Sequence, residues 1–199
     1  MESPDTICEF WFGSSQDDME VAQQRSKFWW SKNPEVDAEI KARFSSYLPR
    51  VISGELEQWR QTPLGVLALI LLTDQFSRNM FRGTAEAFAY DAIASTLCKQ
   101  GLKNATDQTL RPIQRVFFYL PLEHSESLAD QEYCLQLFQR LAAEAEPLLK
   151  DTFERYIDFA VRHRDIINRF GRFPHRNAIL NRDSTQAEID FLKTPGSSF

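Results

Sequence analysis

The chain has three histidines, and each sits in a short motif crowded with arginine, carboxylate or amide. These are Glu123-His124-Ser125-Glu126, Arg162-His163-Arg164-Asp165 and Pro174-His175-Arg176-Asn177. Between positions 162 and 183, six arginines (162, 164, 169, 172, 176, 182) stand against two aspartates (165, 183), a local balance of +4 in a chain of net charge −5. Arginines packed this densely repel one another unless something anionic answers them, either the protein's own carboxylates or a ligand. A histidine flanked by carboxylates, as His124 is, has its charged form favoured and its pKa raised, which suits a general acid. The residues point to a site without naming a reaction.

A further polar run, Asp74-Gln75-Phe76-Ser77-Arg78-Asn79-Met80-Phe81-Arg82-Gly83, follows the apolar stretch Leu64–Leu72. Asp74 lies three and four residues after Leu71 and Ile70, so it projects from the apolar face of a buried helix. A carboxylate there is costly unless paired, either by Arg78 one turn on or by a C-terminal arginine. His163 shares the apolar side of its helix with Ile166, Ile167 and Phe170 and reads as a core histidine. Glu154, Asp158, Arg162, Asp165 and Arg169 recur at helical spacing as an ion-paired stripe on a solvated face. After Gly171, the segment Arg172–Asn177 reads as a rigid turn, with Phe173 held extended by Pro174. A functional loop on a scaffold has this format.

Three readings follow. The favoured one is a small-molecule site binding an anion, carboxylate or phosphate, through Arg172, Arg176 and Arg82. Asp74, Arg78, Asn79 and Asn177 complete the binding set, and Glu123, His124 and His175 are the acid–base candidates. The second is a scaffold gripping an acidic peptide segment in a helical groove. The third is purely structural, with Asp74 bridged to a C-terminal arginine. Convergence of 74–82, 123–126 and 172–177 around one cavity would separate them.

Composition narrows the field. At 199 residues, 43% hydrophobic and 13% aromatic, the sequence reads as one globular domain over 1–199 with ample core material. Net charge −5 and pI near 5.3 argue against a general nucleic-acid binder. Cys8, Cys98 and Cys134 are scattered, as in a reducing compartment. The N-terminus lacks the basic and apolar regions of a signal peptide, and Val66–Leu72 is too short to span a bilayer. The expectation is a cytoplasmic protein with no membrane segment. No P-loop, dinucleotide, serine-hydrolase or metal-finger spacing is present, so no cofactor or metal is expected.

The elements that must position these residues are helical, because β-branched residues are sparse and sustained alternation is absent. Ile7–Phe12 reads as a short helix or an extended plug. Asn33-Pro34 and Thr62-Pro63 start helices to about Ser53 and Arg78, and Thr84 starts one to Lys99 or Gln100. Further helices are expected at about Leu110–Leu120, after a Ser127-x-x-Asp130 box, from Pro147 to Phe170, and from Thr185-x-x-Glu188 to Leu192. Residues 193–199 read as a loose tail. The total is about seven to eight antiparallel helices.

Four motifs carry a family resemblance. They are Phe10-Trp11-Phe12-Gly13, Leu72–Gly83, Tyr119-Leu120-Pro121-x-Glu123-His124-Ser125-Glu126 and Arg162–Asn177. Over about 7–192 the chain resembles a bacterial family catalogued as domain of unknown function 924. The resemblance implies an all-α fold similar to a tetratricopeptide-repeat superhelix, and it implies no established activity. Ser77 stands where that family often has proline, and Asn181 where it often has glycine.

Overall fold

The proline-led starts read from the sequence do open helices. Asn33 accepts hydrogen bonds from the amides of Glu35 and Val36, and Thr62 accepts one from Gly65, filling donors that a helix N-terminus leaves unpaired. The structure, a computed structural model, describes residues 2–198. Positions 1 and 199, part of the expected domain and tail, lie outside the described residues. The described residues hold helices and turns and no strand. The α-helices are α1 (Pro4–Phe12), α2 (Asp18–Trp30), α3 (Pro34–Phe44), α4 (Tyr47–Ile52), α5 (Pro63–Leu71), α6 (Ser77–Met80), α7 (Asp91–Lys103), α8 (Pro112–Glu123), α9 (Leu128–Glu144), α10 (Lys150–Phe170) and α11 (Gln186–Leu192).

These segments outnumber the seven to eight expected, for identifiable reasons. The expected helix from Pro34 to Ser53 divides into α3 and α4 at Ser45–Ser46, because Pro49 has no amide to offer the carbonyl one turn back. Helix α2 has weak apolar periodicity, with only Val21, Ala22 and Trp29 buried, and sequence reading missed it. Thr84 starts only a single 3₁₀ turn (Ala85–Phe88) before α7, and its hydroxyl donates to the Phe81 carbonyl instead of capping. Ser127 makes no side-chain cap; the Ser125 hydroxyl accepts from its amide and donates to Asp130. The expected loose tail turns back at its end: Ser197 is buried and donates to the Leu192 carbonyl.

One large apolar core runs through α1–α10. Its centre is aromatic, with Trp11, Phe12 and Trp29 each within 5.5 Å of the Phe117 ring, arrangements that add to simple area burial. Helix α1 packs on α5, and α9 packs on α8 and α10. The 3₁₀ helix Glu57–Gln61 before α5 approaches so closely that a Cβ on Gly65 would sit 1.9 Å from the Trp59 carbonyl oxygen. Only glycine fits there.

Two local features aim the polar motifs. Between α5 and α6, residues Leu72–Phe76 form a π-turn, a wider coil often found at functional sites. Thr73 donates to the Leu69 carbonyl at 2.7 Å and Ser77 to the Thr73 carbonyl at 3.0 Å. Downstream, Asn181 adopts φ 52°, the left-handed region where glycine is favoured and asparagine is the best-tolerated substitute. The turn is therefore kept without the family's glycine.

Candidate functional site

Asp74, on the π-turn, is fully buried. Its carboxylate meets His124 Nδ1 at 2.7 Å, the Gln75 amide at 2.6 Å and Arg78 at 3.4 Å. Burial pushes this carboxyl up, but Arg78 and His124 outweigh it and hold Asp74 well below the usual range. The partner is thus a histidine from the C-cap of α8 and an arginine from its own helix, rather than a C-terminal arginine. The carboxylate fixes His124 with its Nδ1 proton turned inward, as second-partner contacts to histidine generally do.

The expected rise in the His124 pKa is reversed. Burial and the neighbouring Arg78 lower it, against the opposing pull of Asp74. The adjacent carboxylates in sequence do not face the ring. Glu126 accepts from the Phe173 amide at 2.8 Å and pairs with Arg182 at 2.7 Å. Glu123 points inward, 3.5 Å from His163 Nδ1. Burial, then Asp74, raise the Glu123 carboxyl to about 8, with Arg162 opposing. His163 is 5% exposed and sits with Nδ1 2.9 Å from the Phe159 carbonyl. Burial takes it down to about 3 although that bond works the other way. Burial thus favours the uncharged form of both imidazoles and of the Glu123 carboxyl.

Arg78 forms a bidentate pair with Asp91, at 2.7 and 3.1 Å. Arg176, from the turn after α10, approaches the same carboxylate at 3.6 Å and donates to the His124 carbonyl at 3.1 Å. Its buried Nε has no partner among the described residues. Burial, then Arg78, lower its pKa to about 10. Asp91 was not foreseen. It lies in the first turn of α7, and an acidic residue there looks the same whether it serves the helix dipole or a site.

His124 and Arg176 open on one cleft of about 470 Å³. One wall is the face of α7 and the turn before it, with Phe88, Ala89, Ala92, Ser95 and Lys99; the other carries Pro121, Ser125, Glu126 and Asp130. Beyond its ion pair with Lys99 at 2.7 Å, Asp130 accepts from Ser125.

Other residues of the sequence-derived set lie elsewhere. Asn79 and Arg82 both bind Asp37 of α3, the arginine bidentately at 2.7 and 2.9 Å. Arg172 forms a bidentate pair with Glu188 at 2.7 and 2.9 Å, beside a separate surface hollow. Asn177 donates to Ser184. His175 packs 5.6 Å from the Phe173 ring and is not among the residues lining the cleft; burial, then Arg176, lower it to about 4. Asp74, Arg78, Glu123, His124 and Arg176 do converge. Of the stripe, Glu154, Asp158, Arg162, Asp165 and Arg169 are all exposed. Among the described residues no group of three metal-ligating side chains stands close enough to hold an ion, and no helix is long and apolar enough to cross a membrane.

Fold and site together define an all-helical protein with a histidine–carboxylate pair at the wall of an interhelical cleft. The chain belongs to the family described as bacterial protein of unknown function (DUF924), whose model matches residues 7–196. It is similar to the solved structure of a protein of unknown function, ATU0120 from Agrobacterium tumefaciens, at 36% identity and a TM-score of 0.74, over 89% of this chain and 99% of that one. No curated protein matches the chain.

Proposed function

We propose that the cleft is a small-molecule site in which Arg176 meets an anionic group of the ligand and His124 acts as its acid–base residue. One observation carries the reading: the buried Asp74 holds His124 at 2.7 Å on the wall of a cleft that Arg176 also lines. An imidazole whose Nδ1 proton is engaged by a carboxylate keeps Nε2 as an acceptor, and a lowered pKa leaves it neutral and ready to take a proton at pH 7. Of the three acid–base candidates, Glu123 and His175 lie off the cleft wall, so His124 bears the role. The arginines at 82 and 172 serve internal carboxylates in this reading, and binding rests on Arg176, with Arg78 and Asp91 orienting it.

The test combines ligand screening with spectroscopy. Thermal unfolding with small carboxylates and inorganic phosphate is expected to show stabilisation by at least one probe, lost in Arg176→Gln. Nitrogen NMR of the imidazoles is expected to show His124 neutral at pH 7 with its proton on Nδ1. A charged His124 at that pH, or no stabilisation by any probe, would refute the proposal.

A second reading, a tetratricopeptide-like superhelix that grips a peptide, draws on the same cleft. Ala89, Ala92 and Ser95 make one wall of small side chains against which an extended chain could lie. It calls for a partner longer than the cleft, and competition between a peptide and a small carboxylate would expose it.

A further inference from the structure

The geometry points to a ligand class: a monocarboxylic acid with an apolar body, its carboxylate at Arg176 and its body along α7. This rests on the small-molecule reading above and sharpens it.

Charge decides the number of negative groups. Around the cleft, Arg78, Lys99, Arg176 and Arg182 face Asp74, Asp91, Glu126 and Asp130. The four positive and four negative charges are equal in number but unevenly paired. Arg78, Lys99 and Arg182 each have a carboxylate at 2.7 Å, whereas the nearest for Arg176 is Asp91 at 3.6 Å. The Arg176 side chain is 7% exposed, and its buried Nε has no partner among the described residues. One incompletely answered guanidinium has room for one negative charge. A phosphate dianion would set its second charge against Asp91 and Glu126 with no cation left to meet it.

Shape decides the rest. The rings of Phe88 and Phe173 lie 4.8 and 4.3 Å from the guanidinium carbon of Arg176, fixing its plane, and a fixed guanidinium favours a planar carboxylate. Besides Phe88, the lining carries the apolar side chains of Ala89, Ala92, Pro121 and Leu180. The alanines leave space that a hydrocarbon would fill with gain, and the cleft lies within the usual size of small-ligand sites.

Isothermal titration of the full chain with acetate, butyrate, hexanoate, hexanol and inorganic phosphate tests the class. Affinity is expected to rise about fourfold per methylene from acetate to hexanoate, with hexanol and phosphate at least tenfold weaker than hexanoate. Arg176→Gln should abolish carboxylate binding. Ala92→Leu, at an exposed position and therefore compatible with folding, should keep acetate binding and remove the gain with chain length. Phosphate binding tighter than hexanoate would overturn the carboxylate class while leaving the small-molecule site standing. Affinity independent of chain length, or hexanoate gain unchanged in Ala92→Leu, would overturn the apolar body. Silence from every probe would remove both readings together.

Discussion

Arg172 and Arg176 stand one helical turn apart in sequence, on the same 3₁₀-containing loop, and the fold treats them oppositely. Arg172 is bound on three sides, by both oxygens of Glu188 and by the Asp183 carbonyl at 2.8 Å. Arg176 has one bond to a carbonyl and one long approach to a carboxylate. Arg182 behaves like Arg172, gripping Glu126 with two nitrogens. The basic tract is therefore two different devices. Two of its arginines sew the C-terminal loop to the α8–α9 turn and to α11, and one is left with binding capacity inside the cleft. Clustering of like charge in a sequence does not distinguish the two; the position of the answering carboxylates does.

The largest effect that would break this contrast lies at Asp74. Replacing it with alanine strips His124 of its buried carboxylate and leaves Arg78 with Asp91 alone, so urea unfolding should show a loss of about 3–5 kcal/mol. A loss well below that would place Asp74 in a hydrated cavity. Next comes Glu126→Ala, which removes the partner of Arg182 and of the Phe173 amide; a loss of about 2 kcal/mol is expected, at the scale of hydrogen bonds to a charged group. Arg176→Gln should by contrast leave stability within about 1 kcal/mol, since little pairing offsets the burial of that charge. Equal losses in these last two variants would erase the distinction between sewing and binding arginines.

The pH profile sharpens the contrast further. The Glu123 carboxyl has a folded pKa near 8 against an ordinary 4.5. The folded chain therefore holds a proton the unfolded chain releases, and this contribution to stability is full below pH 4.5 and lost as pH rises through 8. Glu123→Gln should flatten that decline, leaving the variant more stable than the parent at pH 8–9. Glu188 works the other way. Its bonds to Arg172 and to the Thr185 amide hold it near 2, so its contribution is present above pH 4.5 and lost as pH falls toward 2. Glu188→Gln should weaken stability at neutral pH and show a shallower fall in acid, followed by fluorescence of the tryptophans.

Much of this was legible in the residues. The all-helical class followed from proline-led starts and sparse β-branched residues, and the motifs around 74–78, 123–124 and 176 do meet. What could not be read was pairing across the fold. Asp37, 45 positions from Arg82, carries no local sign that it will claim that arginine, and Glu188 gives none beyond its place in a capping box. The direction of the His124 shift is hidden from sequence for a similar reason. Glu123 and Glu126 adjoin His124 along the chain, yet at a helix C-cap adjacent side chains diverge, and both carboxylates turn to other partners. His163, read as a core histidine, is buried as such a residue would be, and its place against Glu123 and Phe173 became visible only when α10 was packed on α8.

The π-turn at Leu72–Phe76 has a consequence for how this site tolerates change in chain length. Each residue of an α-helix advances the chain by about 100° around its axis, so the wider coil sets the rotational phase of everything that follows. Shortening Leu72–Phe76 by one residue would restore an ordinary helix with the same apolar surface on α5. It would also swing Ser77 and Arg78 by roughly a quarter turn, away from the Ala87 carbonyl and from Asp91 that they now reach. Such a chain would keep its core and lose the alignment of its cleft. In that sense one extra backbone step, rather than any single side chain, keeps the two halves of the site in phase.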